Sequence, residues 1–160
     1  RLRLPRAGAP LMELRDLELV DASVSRTATF GEAVSALWAA QAPALAVLDE
    51  QRRVVGVIAE SDVLRAVFPR YLAELHHTSF LPDDATGLHE RAERARHEPV
   101  GEYARAPVVL DAGESQTHAA EMFLHTGDPA LPVVEKERFL GMLSVSALCH
   151  ARLDPGTKGS

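Results

Sequence analysis

The chain carries one pattern twice. Ala44-Leu45-Ala46-Val47-Leu48-Asp49-Glu50 followed by Arg53-Val54-Val55-Gly56-Val57-Ile58-Ala59-Glu60-Ser61-Asp62-Val63-Leu64 returns as Ala130-Leu131-Pro132-Val133-Val134-Glu135-Lys136 followed by Arg138-Phe139-Leu140-Gly141-Met142-Leu143-Ser144-Val145-Ser146-Ala147-Leu148-Cys149. Gly56 matches Gly141 at an offset of 85, whereas Ala44 matches Ala130 and Ala33 matches Ala119 at an offset of 86. A one-residue deletion in the second turn accounts for the change. Duplication constrains architecture before any single residue does. Two copies of a small supersecondary unit predict a pseudo-twofold domain with equivalent clefts about its axis.

At 160 residues, the chain suits one domain or two small repeats sharing a core. Hydrophobic residues make up 46% and aromatics only 5%, so the core is built mainly from Ala, Val and Leu. The formal charge is −6, which argues against nucleic-acid binding, since phosphate backbones need clustered Lys and Arg. A single cysteine, Cys149, excludes an intrachain disulfide and reads as a small core residue in an apolar stretch. No run approaches the ~20 apolar residues of a membrane helix, so no membrane association is expected. Arg1–Pro10 is basic but lacks the apolar centre of a signal peptide. The default expectation is a cytoplasmic protein. Met12 reads as a plausible native start, which would leave Arg1–Leu11 outside it; alternatively the chain is part of something longer.

The expected fold class is α/β (α+β), with two pseudo-symmetric β-α-β-β-α repeats and a helical connector between them. The first strand is expected at Ala22–Ser25 and its counterpart at Val108–Leu110. Thr29 and Glu32 fit a capping box at the start of a helix. Ala33, Val34, Leu37 and Trp38 then share one face, matched by Ala119, Ala120, Phe123 and Leu124 behind a cap at Ser115. Trp38 is read as core or interface. Both helices stop before a proline, Pro43 or Pro129. The strands Ala44–Leu48, Val54–Ala59, Ala130–Val134 and Phe139–Ser144 are continuous apolar runs, expected to be covered on both faces. The last helix of each copy begins near Ser61 and near Ser146.

The predicted organisation is an N-terminal extension 1–16, repeat one 17–68, connector 69–99, repeat two 100–153 and a disordered tail 154–160. In the connector, Tyr71, Leu72, Leu75 and Phe80 suggest a continued apolar face. Pro82-Asp83-Asp84 breaks the chain, and Leu88–His97 reads as a charged helix with a Glu90–Arg94 pair, ended by Pro99. The connector either packs on the module, reaching towards a second subunit, or is a solvated linker.

These residues carry a family pattern. An apolar strand ending in an acid, a polar turn, and then glycine, two apolar residues, Ser or Thr, two more residues and Asp resembles the cystathionine β-synthase (CBS) domain. Two copies in tandem, over roughly Leu17–Phe68 and Val100–Arg152, resemble a Bateman module. The resemblance implies a regulatory module rather than an enzyme, with no required cofactor. It implies an adenosine-containing ligand (AMP, ADP, ATP or S-adenosylmethionine) bound in clefts between the repeats. The motif Asp would hold the ribose hydroxyls, and the Ser or Thr three residues earlier would help to hold phosphate. A carboxylate is an acceptor suited to a diol, and a helix N-terminus suits phosphate.

Carried over residue by residue, the motif is split. The first copy has Asp62 but Ala59 at the hydroxyl position; the second has Ser144 but Ala147 at the acid position. Ser61, Arg65, Ser23, Leu45, Ala46, Leu131 and Pro132 complete the implied ligand-binding set. Each has a plainer reading. Asp62 is either a ribose ligand or an exposed helix-start acid, the latter worth under ~1 kcal/mol. Ser61 is read first as a helix cap, and Arg65 as solvated rather than bound to phosphate. His76, His77, Asp83, Asp84 and His89 lack metal-ligand spacing, and no nucleophile elbow or glycine-rich phosphate loop is present. The functional expectation is a ligand-sensing module that controls an unidentified partner and forms a homodimer through its repeats. The alternative is a dimerisation or interaction module with no nucleotide ligand.

Overall fold

The computed structural model describes residues 12–68 and 87–154. In chain order the elements are β1 (Ser23–Ser25), α1 (Phe30–Ala40), β2 (Ala44–Leu48), β3 (Val54–Ala59), α2 (Glu60–Val67), α3 (Leu88–Arg96), β4 (Leu110–Asp111), α4 (Gln116–Thr126), β5 (Ala130–Glu135), β6 (Arg138–Ser144) and α5 (Val145–Leu153). The expected β-α-β-β-α order thus occurs twice, with α3 between the copies. The connector residues Tyr71 to Asp84, the two histidines among them, the first eleven residues and the tail beyond Asp154 lie outside the described residues.

Local chemistry sets the helix ends. Thr29 Oγ1 accepts the Glu32 N–H at 3.2 Å, and Glu32 returns a carboxylate to the Thr29 N–H at 2.8 Å. Ser115 Oγ accepts the His118 N–H at 3.1 Å. Both helices close on left-handed residues, Gln41 and Gly127, two residues before the prolines. Each satisfies two otherwise open helix ends. On α3, the ion pair joins Glu93 to Arg96 at 3.0 Å rather than Glu90 to Arg94, because Arg94 turns towards a cleft beside Tyr103.

Each copy forms a three-stranded sheet, β1-β2-β3 and β4-β5-β6, with the first pair parallel and the second antiparallel. All five residues of β2 are buried, as are Ala130–Val133 of β5. One face meets the copy's own helices and the other meets the opposite sheet, so the β2 core includes Ala130, Phe139 and Met142 from the second copy. Fully burying a side chain such as Leu45 or Leu131 contributes about 1.5–3 kcal/mol. Five residues separate the paired Leu48 and Val54, but four separate Val134 and Phe139, which is the deletion inferred from the offsets.

The two copies exchange their leading segments. Val20 pairs with Met142 of β6, its N–H and C=O bonded at 3.0 and 2.7 Å. Arg105 pairs in the same way with Val57 of β3, at 2.9 and 3.1 Å. The two crossings are related by the offset of 85, and they explain the repeated glycine. A Cβ on Gly56 would lie 2.9 Å from Ala104 Cβ, and one on Gly141 would lie 2.7 Å from Leu19 Cβ. Only glycine lets the crossing backbone approach so closely. The exchange also places Leu14 and Leu17 in the second core, and Val100 in the first.

Some expectations change. The strand anticipated at Val108–Leu110 is Leu110–Asp111, because the preceding segment is committed to the crossing at Arg105 and Pro107 has no N–H to pair. Trp38 and Leu124 are 78% and 86% exposed and are not core residues. Phe30, Ala33 and Leu37 centre the buried face of α1 and leave Trp38 one step, about 100°, beyond it. Cys149 is exposed rather than a core residue, one step along α5, about 100°, from the buried Leu148.

Candidate ligand site

Asp62 sits at the third position of α2, and its N-cap is Ala59 rather than Ser61. A methyl group cannot accept a hydrogen bond, so only half of a capping box forms: Asp62 Oδ2 accepts the Ala59 N–H at 2.8 Å. The second copy makes the other half, with Ser144 Oγ accepting the Ala147 N–H at 3.0 Å. Each remnant of the split motif therefore caps its own helix. Ser61 lies within the first turn of α2 and is exposed.

Asp62 is not an exposed helix-start acid. Its side chain is 7% exposed and meets two guanidinium groups. Arg65 Nη1 donates to Oδ1 at 2.9 Å from one turn along the helix. Arg105 Nε donates to Oδ2 at 2.9 Å and to Oδ1 at 3.1 Å, while its Nη2 donates to Asp128 Oδ1 at 3.0 Å. A buried carboxylate needs such partners, since an unpaired one would neutralise or destabilise the fold. The hydrogen bond to Asp62 holds the Arg105 pKa above its ordinary value, against the opposing effect of partial burial.

The network spans the seam between repeats. Asp62 belongs to the first repeat, Asp128 lies between α4 and β5 of the second, and Arg105 lies on the crossing strand whose backbone is fixed to Val57. It exists on one side only. By the same offsets, Val20, Ala42 and Ala147 stand where Arg105, Asp128 and Asp62 stand. Sequence reading missed Arg105 and Asp128; the register of the repeat would have flagged both, because each is a charge opposite an apolar residue.

Of the remaining residues in the implied set, Leu45, Ala46, Ala59, Leu131 and Pro132 are closed to solvent in this structure. Ser23 is half-buried and pairs with Ala46 across β1 and β2. Arg65 is exposed along most of its length. A groove of about 670 Å³ runs between α1, α2 and α3, past Thr29, Val63, Val67 and Arg96. A second, of about 460 Å³, lies beside Trp38 and Leu64. A small cleft of about 180 Å³ is lined by Ala66, Arg91, Arg94, Ala95, Glu98 and Tyr103, and Ala66 shares the α2 face of Asp62 by its i, i+4 spacing. Among the described residues, no group of three or more His, Cys, Asp or Glu could hold a metal ion. No helix among them is long and apolar enough to cross a membrane.

The CBS domain family matches the sequence at residues 14–69 and again at 100–154. The chain belongs to the CBS-domain family. As a CBS pair it resembles several solved structures. The CBS-pair protein of Arabidopsis thaliana aligns with a TM-score of 0.69 and 19% identity, over 90% of this chain and 96% of that one. The CBS domain of a CBS-domain-containing membrane protein from Sphaerobacter thermophilus aligns at 0.68 and 22%, over 87% and 86%. A CBS domain protein from Pyrobaculum aerophilum, complexed with AMP, aligns at 0.65 and 22%, over 86% and 90%. A sequence search of curated proteins finds no match.

Proposed function

We propose that this CBS pair is a ligand-sensing regulatory module that takes an adenosine-containing ligand at Asp62 and transmits its presence to a partner protein. The carrying observation is a carboxylate at a helix start, on the seam of the repeats, with the guanidinium groups of Arg65 and Arg105 beside it. Together they supply an acceptor for ribose hydroxyls and cations for phosphate. The AMP complex of the Pyrobaculum aerophilum relative supports the same ligand class. In this reading the protein is cytoplasmic and non-catalytic, needs no cofactor and associates as a homodimer. This reading assigns Ser23, Leu45 and Ala46 to the Asp62 side, and Ser144, Ala147, Leu131 and Pro132 to the pseudo-equivalent side.

Calorimetric titration with AMP, ADP, ATP and S-adenosylmethionine tests the proposal. Heat from at least one ligand in the wild type, lost in Asp62→Ala, is the expected result. Silence from all four would favour the second reading, an interaction module without a nucleotide. That reading draws on the same geometry, because both halves of the split motif already serve as helix caps.

A further inference from the structure

Asp62 has little acceptor capacity to spare. Oδ1 accepts from Arg65, Oδ2 accepts from the Ala59 N–H, and the single Nε–H of Arg105 is shared between the two oxygens. A carboxylate offers about four lone-pair sites, and these three donors leave fewer than the two that a vicinal diol needs. A vicinal diol cannot simply add to this group; it has to take the place of a guanidinium.

We propose that Arg105 is a displaceable internal counter-ion of Asp62 that makes the Asp62 site selective for nucleoside phosphates over uncharged or cationic adenosyl compounds. The inference rests on the adenosyl reading above and names the ligand class within it. A neutral nucleoside would replace an ion pair with hydroxyl–carboxylate hydrogen bonds that are charged on one side only, and would leave Arg105 with Asp128 alone. A nucleoside phosphate brings its own anion. Its ribose takes the carboxylate, its phosphate takes the freed guanidinium, and charge-assisted bonds are kept on both sides. S-adenosylmethionine carries a sulfonium and an ammonium group against a single carboxylate, so it would add net positive charge beside Arg65 and Arg105.

The residue is built to move at its head and not at its base. The Arg105 backbone is locked to Val57 by two hydrogen bonds, while its side chain is 41% exposed. Asp62 stays behind, buried and held by the Ala59 N–H. Because Arg105 and Asp128 come from the second repeat, releasing Asp62 removes an ionic tie between repeats. Val20, Ala42 and Ala147 leave the opposite side without such a tie, so the device is one-sided.

The test is calorimetric titration of the full chain, wild type and Arg105→Ala, with adenosine, AMP, ADP and S-adenosylmethionine. Wild type is expected to bind AMP at least about ten-fold more tightly than adenosine, and S-adenosylmethionine more weakly still. In Arg105→Ala the adenosine affinity should rise and the AMP advantage should shrink by about ten-fold or more. Arg105→Gln, which keeps the stem and a neutral donor, should show the same collapse and replaces Arg105→Ala if that variant melts early. Equal wild-type affinity for AMP and adenosine, or an unchanged ratio in the variants, overturns the counter-ion role while leaving the adenosyl reading intact. No binding of any of the four to wild type or variants overturns both.

Discussion

Asp62 shows what one side chain can hold together. Removing its carboxylate orphans the Ala59 N–H and strips Arg105 of one of its two anions. A buried donor left unpaired costs about 1–3 kcal/mol. Asp62→Ala should therefore lower the ligand-free melting temperature by several degrees, at roughly 2–4 °C per kcal/mol for a domain of this size, as read by calorimetry. An exposed acid would have shifted it far less. Tyr103 makes a second, pH-dependent statement. Burial, then its 2.5 Å hydrogen bond to Glu98, pushes its phenol up to about 12. In the unfolded chain a phenol titrates near 10. The folded state thus holds this proton more tightly, and its stabilisation is complete below about pH 10 and is lost as pH climbs from there to about 12. Denaturant midpoints should fall across that window in the wild type, and Tyr103→Phe should flatten the fall.

At the scale of elements, the two copies act as controls for each other. The α5 helix has its hydroxyl cap at Ser144, and α2 lacks one at Ala59. Ser144→Ala should cost about 1 kcal/mol. Ala59→Ser should recover about as much at α2, whereas Ala59→Thr adds a methyl group at a 1% exposed site and should gain less. Thermal melts of the three variants decide this. The crossing glycines follow the same logic. Gly56→Ala and Gly141→Ala force a Cβ against Ala104 or Leu19 on the exchanged segment, the closer contact being at Gly141. Each should lower the urea midpoint by the equivalent of about 1–3 kcal/mol, with Gly141→Ala the worse. The caps at Thr29 and Ser115 were legible in sequence because capping is a three-residue code. The strand at Leu110–Asp111 was misplaced because its neighbours answer to a partner far along the chain.

For the molecule as a whole, the large apolar residues that are more than half exposed among the described residues all lie on helices: Trp38 on α1, Leu64 on α2, Leu124 on α4 and Leu153 on α5. Trp38 and Leu124 are equivalent by the repeat, and Trp38 and Leu64 line one groove. Single exposed hydrophobics are ordinary, but exposed apolar residues brought together on adjacent helices mark an association surface. A two-fold homodimer is the expected arrangement. Light scattering at tens of micromolar should give twice the chain mass, and Trp38→Glu should return it to one. Because Trp38 is the chain's one tryptophan, its emission should shift to the red on dilution; a constant spectrum with a monomeric mass would refute the dimer.

The sequence by itself determined the repeat, the order of elements in each copy, the caps of α1 and α4, the turn deletion and the position of the split motif. These are local or periodic signals, readable within a few residues or by comparing one copy with the other. The tertiary structure alone decided that the leading segments cross between copies, which is why Gly56 and Gly141 must be glycine. It also turned Trp38 and Cys149 outward, because a helical face is defined by what packs against it. Above all, it brought Arg105, 43 residues away in sequence, onto the Asp62 carboxylate. An ion pair between segments so far apart depends on how the sheets dock, and no local pattern encodes that distance.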